Sequence, residues 1–164
     1  MVVFDASTLI ALLRPRSSSD DAARLLAVIA ELKKAGDKVA IPTPALSELL
    51  AGAGRASGEY LASIRASSVY RVVNFDQKAA IECARIVVDA QRTGDKRGGA
   101  KGTWAKIKFD QQIVAIALVV GAHTVYSEDD HVRSLAVKYR MNAVKIGDLP
   151  LPPEAAQQKL DLKH

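Results

Sequence analysis

The chain has 164 residues, which fits one domain that buries about two-thirds of its unfolded surface. Its 49% hydrophobic and 25% charged residues are typical of a globular protein, and the single Cys83 excludes an intramolecular disulfide. The longest apolar stretch, residues 113–122, has ten residues, well short of the roughly 20 that span a bilayer. The first residues also lack a basic targeting region, so we expect a cytoplasmic protein without a membrane partner.

The first half of the chain alternates between short strands and helices. Thr43 is a suitable N-cap and Pro44 suits a first helical position, which predicts the start of one of these helices. β-Branched runs predict strands, and apolar residues at helical spacing predict helices. The predicted elements are strand 2–4, helix 6–13, helix 20–35, strand 38–41, helix 43–50 and helix 57–66.

The second half continues the alternation, which predicts an α/β fold with a mostly parallel sheet and helices on both faces. Its predicted elements are strand 70–73, a helix capped by Asp76 and reaching residue 91, helix 109–120, strand 124–126, helix 129–139 and strand 143–146. A glycine-rich loop over 93–105 interrupts this part of the chain. We find no internal repeat and predict one domain over 1–147, followed by a tail over 148–164.

The excess positive charge is concentrated around that loop. The net charge of the chain is +5, and from Arg92 to Lys108 six basic residues oppose only Asp95. The concentration favours a polyanionic partner, although a solvated loop kept soluble by its charge is equally consistent with it. The basic residues are Arg92, Lys96, Arg97, Lys101, Lys106 and Lys108.

Four carboxylates lie at positions where a site can form. Asp5 and Asp129 each follow a predicted strand, and sites in open α/β sheets form beyond the carboxyl ends of the strands. We predict Asp110 in the first turn of an apolar helix and Glu48 inside a helix, among leucines. Ordinary roles are also consistent with single residues: Asp110 and Asp129 as helix caps, and Glu48 as a solvent-facing residue.

Four short motifs surround these acids in one order along the chain. They are residues 3–7 (VFDAS), 42–50 (PTPALSELL), 109–117 (FDQQIVAIA) and 125–130 (VYSEDD). Together they resemble the PIN-domain nucleases and, within that family, the VapC-like toxins of toxin–antitoxin modules, over residues 1–147. The resemblance implies a PIN-like three-layer α/β/α fold. The basic loop before Asp110 is longer than in the compact toxins.

The resemblance also implies a metal-dependent endoribonuclease that hydrolyses RNA phosphodiester bonds. Asp5, Asp110 and Asp129 would bind the metal, and Glu48 would position the ion or the attacking water. Oxygen ligands select Mg²⁺ or Mn²⁺ over zinc, and clustered carboxylates stay ionised together only beside a cation. Such an ion activates water and stabilises the oxygens of a phosphodiester.

Further residues and partners follow from the same resemblance. Ser7 and Ser127 would orient the metal ligands, and the position of Ser127 favours Asp129 over Asp130 as the last acid. The basic residues would hold RNA phosphates at the mouth of the acidic pocket. The toxin branch implies a cognate antitoxin and a homodimer.

Two aromatic residues, Trp104 and His131, each have more than one interpretation. Trp104 lies among the basic residues, where packing of the loop or stacking on an unpaired base would explain it, and we expect His131 at the surface.

Two other classes of function are disfavoured by the sequence. A PIN-like module that binds RNA or protein without cleavage is disfavoured by the presence of all four acids. A receiver or phosphatase-like domain is disfavoured because no Asp-x-Asp motif occurs at the start.

Overall fold

The computed structural model describes residues 1–13, 20–94, 97 and 102–153. The strands are β1 Val2–Phe4, β2 Val39–Pro42, β3 Tyr70–Val73, β4 Thr124–Tyr126 and β5 Asn142–Val144. The helices are α1 Ala6–Leu13, α2 Asp20–Lys34, α3 Thr43–Ala53, α4 Ser57–Ala66, α5 Gln77–Arg92, α6 Trp104–Val119 and α7 Asp130–Lys138. Short 3-10 turns lie at Gly54–Ala56 and Ile146–Asp148. No helix in the described part of the chain is long and apolar enough to cross a membrane.

The strands form one parallel sheet in the order β3-β2-β1-β4-β5. β1 lies at its centre, with Val2 opposite Val39 of β2 and Thr124 of β4. Every residue of β1 and β2 is buried, as expected for parallel strands covered on both faces. Because all five strands run the same way, the residues that follow them gather at one edge of the sheet.

Helices cover both faces of the sheet and complete a three-layer α/β/α architecture. Successive residues of a strand point to opposite faces, so Val3 packs in a cluster with α5, α6 and α7, whereas Phe4 packs in a cluster with α1, α2 and α4. Helix α6 is buried along residues 113–117. A helix buried on most sides shows no apolar stripe, so its apolar sequence reflects its central position.

One predicted element boundary and one predicted cap were wrong, and the other predicted elements agree with the structure within three residues. Helix α6 begins at Trp104 because the Thr103 hydroxyl caps it, accepting the backbone N–H of Lys106 at 3.3 Å. Thr43 does not cap α3, since its hydroxyl accepts the N–H of Phe75 at 3.1 Å and Pro42 occupies the N-cap position. The start of α6 places Asp110 in the second helical turn instead of the first.

Parts of the predicted loop and tail lie outside the described residues, including Lys96, Lys101 and residues 154–164. Lys106 and Lys108 belong to α6 and not to the loop. Beyond residue 147, the carbonyl of Leu149 accepts a hydrogen bond from Arg24 of α2 at 2.8 Å. The division into a domain over 1–147 and a tail over 148–164 stays a prediction.

Candidate active site

Asp5 is a buried carboxylate at the end of β1, only 3% exposed. Its Oδ1 accepts the Ser7 hydroxyl at 2.7 Å and the backbone N–H of Thr8 at 2.9 Å, and its Oδ2 accepts the Ser127 hydroxyl. Burial raises the pKa of Asp5, although these hydrogen bonds favour the charged form. The carboxylate is thus fixed in position, and its charge has a desolvation cost that a nearby cation would offset.

The two predicted hydroxyls connect Asp5 to the segment after β4. Ser127 donates to Asp5 and accepts the backbone N–H of Asp129 at 2.9 Å. Ser7 donates to Asp5 and accepts the backbone N–H of Glu128 at 2.9 Å. Each serine therefore ties the carboxylate after β1 to the backbone that carries Asp129.

Asp129 is the N-cap of α7. Its Oδ1 accepts the N–H groups of His131 at 2.8 Å and Val132 at 3.3 Å, while its Oδ2 accepts the ammonium of Lys106. Burial opposes ionisation of Asp129, but the hydrogen bonds from Lys106 and from the helix backbone outweigh it and lower the pKa. The neighbouring Asp130 is exposed and pairs with Arg133 of its own helix.

Asp110 forms a buried pair with a histidine that we expected at the surface. Its Oδ2 lies 2.8 Å from Nδ1 of His131, which is 8% exposed because the first turn of α7 faces α6. An ionised carboxylate only accepts, so Nδ1 carries the shared hydrogen. The surface prediction for His131 was wrong, and its position two residues after a helix cap gives no signal of this contact.

Glu48 joins the same cluster from α3. It is exposed along its helix, as one of the two interpretations expected. Its pKa is nevertheless raised, first by partial burial of the carboxylate and then by the negative charges of Asp110 and Asp5. The four predicted acids therefore lie near one another at the carboxyl edge of the sheet, contributed by β1, α3, α6 and the cap of α7.

Comparison with known families identifies the fold. A family model described as the PIN domain matches residues 2–138. The chain belongs to the PIN-domain family. No curated protein matches the sequence.

Solved structures with this fold include VapC and VapBC proteins. A DNA-bound VapBC from Salmonella typhimurium is 20% identical with a TM-score of 0.60, covering 88% of this chain and 97% of that one. VapBC-1 from nontypeable Haemophilus influenzae is 14% identical with a TM-score of 0.59, covering 90% and 100%. VapC20 from Mycobacterium tuberculosis, a sarcin–ricin loop cleaving toxin, is 20% identical with a TM-score of 0.54, covering 79% and 91%. At these identities the similarity establishes the fold.

The acids of this PIN domain suit a hard divalent cation by charge and donor type. Their carboxylate oxygens are the donors that Mg²⁺ and Mn²⁺ prefer, and the ammonium of Lys106 already places a cation beside Asp129. No three acidic, histidine or cysteine side chains within the described ranges are arranged to hold one ion together. The donor type therefore fits the ion, but the side chains must move before three of them can bind one ion together.

Basic residues border the PIN-domain acids through α6. Lys106 and Lys108 are exposed on the turns that lead to Asp110, and Arg92 is the last residue of α5. The guanidinium of Arg97 lies 5.3 Å from the ring centre of Trp104, which is 48% exposed. The structure describes four of the six predicted RNA-binding residues. Of these four, Lys106 and Lys108 lie on the same helix as Asp110.

Proposed function

We propose that this PIN domain is a Mg²⁺- or Mn²⁺-dependent endoribonuclease that hydrolyses RNA phosphodiester bonds. The proposal rests on the convergence of Asp5, Glu48, Asp110 and Asp129 from four elements. Like charges oppose one another's ionisation, so folding alone gives no reason to gather four of them. Their grouping favours a cation site over four unrelated helix caps.

In this proposal Asp5, Asp110 and Asp129 hold the ion, and Glu48 positions it or the attacking water. When bound, a divalent ion polarises the phosphodiester and lowers the pKa of a coordinated water. Asp5 and Asp110 are buried, so their carboxylates can bind without first losing a full hydration shell. Glu48 is more exposed, which suits a residue that contacts water or substrate.

Three other residues would keep the ligands in position. Ser7 and Ser127 fix both oxygens of Asp5, and His131 fixes Asp110. Such partners restrict the rotation of a ligating carboxylate. They act through the acids and do not themselves bind the ion.

RNA is the proposed substrate because the acids lie beside a concentrated positive charge. The same helix carries Lys106, Lys108 and Asp110, so phosphates held by the lysines would lie close to the acids. The fold shared with a sarcin–ricin loop cleaving toxin supports RNA as the polyanion. The full set of proposed phosphate-binding residues is Arg92, Lys96, Arg97, Lys101, Lys106 and Lys108.

The proposed biological role is that of the toxin in a toxin–antitoxin module. The family match and the shared fold with VapBC proteins support this role. A cognate antitoxin that blocks the acidic pocket, and a homodimer, are the partners that this role implies.

The decisive experiment is cleavage of a mixed structured-RNA pool by the purified protein in Mn²⁺ and in EDTA. Asp110→Asn should lower Mn²⁺-dependent cleavage by roughly a hundredfold or more, because it removes a buried charge that the ion needs. The matched control is Asp76→Asn, since Asp76 only caps α5 and Asn caps a helix equally well. Both variants should retain the circular dichroism spectrum of the wild type.

Each outcome of this experiment has a definite meaning. Full activity in Asp110→Asn would refute the site assignment. Activity that persists in EDTA would refute metal dependence. If folded protein without a bound inhibitor cleaves nothing in any condition, the protein is instead a PIN-like module that binds RNA or protein.

A further inference from the structure

Lys106 places a positive charge inside the acidic cluster. It lies four residues before Asp110 on α6, so the two side chains share one face of the helix. Its ammonium donates to Oδ2 of Asp129, which belongs to a different element. The pKa of Lys106 is raised first by that hydrogen bond, and the charges of Asp110 and Glu48 contribute as well. One lysine is therefore close to three of the four acids.

The oxygen that Lys106 contacts is the one a metal ion would need. Oδ1 of Asp129 already accepts two backbone N–H groups at the start of α7. Oδ2 is the oxygen left for a cation, and the ammonium of Lys106 occupies it. A divalent ion bound by Asp129 through Oδ2 would compete with the ammonium of Lys106 for this oxygen and would repel its charge.

Lys106 has the freedom to move when this happens. Its side chain is 56% exposed, and four rotatable carbon–carbon bonds separate the ammonium-bearing carbon from the backbone. Displacement leaves a mobile cation beside the acids, on the face of α6 that also presents Asp110. A phosphate group of a bound polyanion is the partner that such a cation would then find.

We infer that Lys106 is an internal counter-cation that occupies Asp129 in the metal-free protein, yields this oxygen to the divalent ion and then binds an RNA phosphate. The exchange is one of ionic partners, with no covalent step. The inference rests on the proposed function, because it takes the acids as the metal site and RNA as the substrate.

The inference predicts that one substitution changes the metal affinity and the RNA affinity in opposite directions. Removing the charge of Lys106 eliminates a competitor for Asp129, so Mn²⁺ should bind more tightly. The same change removes a phosphate contact, so RNA should bind more weakly. A lysine that only stabilises the local structure would not strengthen metal binding on removal.

The test uses the full chain in four forms: wild type, Lys106→Met, Lys106→Arg and Lys78→Met. Lys78 is exposed on α5 and lines a surface pocket together with Leu118, which lies about 18 Å from Lys106 along α6. Lys78→Met therefore removes one positive charge at a distance from the acidic cluster. Mn²⁺ binding is measured by calorimetry without RNA. RNA binding is measured by anisotropy of a labelled single-stranded RNA in Ca²⁺.

For Lys106→Met we expect Mn²⁺ affinity to rise roughly fivefold and RNA affinity to fall roughly fivefold, the scale of a partly exposed ion pair. Lys106→Arg keeps the charge and, like Lys78→Met, should stay within about twofold of the wild type in Mn²⁺ affinity. Because Lys106 is more than half exposed, both substitutions at this position should leave the fold intact.

Results that contradict the inference differ from results that contradict the proposed function. If the wild type binds Mn²⁺ and Lys106→Met binds it no more tightly than Lys78→Met, the inference is wrong and the proposed function stands. Equal RNA binding by these two variants, or Lys106→Arg behaving like Lys106→Met, also overturns the inference. If no form binds Mn²⁺, the inference and the metal-dependent function both fail.

Discussion

The contact between Asp110 and His131 shows how a single neighbour determines the behaviour of a buried acid. Both side chains are almost fully enclosed between α6 and α7, and 2.8 Å separates Oδ2 from Nδ1. A buried carboxylate without a donor would lose this hydrogen bond and keep its desolvation cost. His131 therefore acts as a positioning residue for Asp110.

Replacing His131 with Ala should weaken Mn²⁺ binding roughly tenfold, because the Asp110 carboxylate loses the donor that orients it. His131→Asn should recover most of the affinity, since the side-chain amide nitrogen lies near the place of Nδ1. The control is His123→Ala, because His123 is exposed and pairs with Asp37 at the other end of β4. Calorimetry with Mn²⁺ measures all three variants, and unchanged binding in His131→Ala would contradict the role.

The acids of the candidate site are predictable from the sequence, but their hydrogen-bond partners are not. Asp5 and Asp129 follow strands, and four motifs in one order indicate Glu48 and Asp110. The contacts of Lys106 with Asp129 and of His131 with Asp110 join residues 23 and 21 positions apart, across different helices. No local pattern records which helix faces meet, so these contacts depend on tertiary packing.

At the scale of elements, local signals predicted the type of each element better than its ends. The apolar run of α6 predicted a helix, but its first turns combine Lys106 and Lys108 with apolar residues and resemble the preceding basic loop. The cap by Thr103 determines the true start. The prediction missed this cap because Thr103 ends a glycine-rich segment that shows no helical periodicity.

A partly buried hydrogen bond joins the end of α7 to α5. Tyr139 follows α7, and its hydroxyl donates to Oδ2 of Asp89 on α5 at 2.9 Å. Burial and the acceptor Asp89 raise the pKa of Tyr139 to about 12. Since the folded state favours the protonated phenol, this contribution to stability is complete below about pH 10 and is lost as the pH rises through 12.

Tyr139→Phe should lower the free energy of unfolding by about 1 kcal/mol at neutral pH, because Asp89 loses its donor. It should also remove one phenol ionisation near pH 12 from the absorbance titration. Tyr70→Phe is the comparison, since burial alone raises the pKa of Tyr70 to about 12. Urea unfolding measures the stability, and a Tyr139→Phe variant as stable as the wild type would show that the link contributes nothing.

At the scale of the whole molecule, the acidic cluster is a source of instability in the metal-free protein. Glu48 has a raised pKa because of burial and because Asp110 and Asp5 repel its charge. The folded state therefore binds its proton more tightly than the unfolded state, and the charge lowers stability once the pH exceeds the ordinary value of 4.5. A divalent ion would reverse the sign of this contribution.

Glu48→Gln should raise the free energy of unfolding in EDTA at pH 7 by roughly 0.5 kcal/mol, a value reduced by solvent screening. The gain should shrink towards pH 4, where the wild-type carboxyl is mostly protonated in both states. Glu59→Gln on the exposed face of α4 serves as the control. Urea unfolding with and without Mn²⁺ is the measurement, and a variant that is less stable in EDTA would contradict the prediction.

The sequence predicts the three layers of the fold but not the order of the strands in the sheet. The alternation of strands and helices gives a parallel sheet between two helical layers, and the resemblance gave the family. The strand order β3-β2-β1-β4-β5 does not follow from the strands themselves, which have three or four residues each. Such short strands carry little information on register, which is set by the packing of the helices against each face.

At the cap of α7, the helix requires only a hydrogen-bond acceptor, whereas the proposed metal site requires a negative charge. Asp129 starts the helix with Oδ1, and Asn would do so equally well, because caps require an acceptor and not a charge. One substitution could therefore remove an acid from the cluster while the helix, the sheet edge and the family resemblance all persist. The cap alone does not distinguish the two residues, whereas the charge of Asp129 pairs with Lys106 in the metal-free protein and would bind the ion in the proposed function.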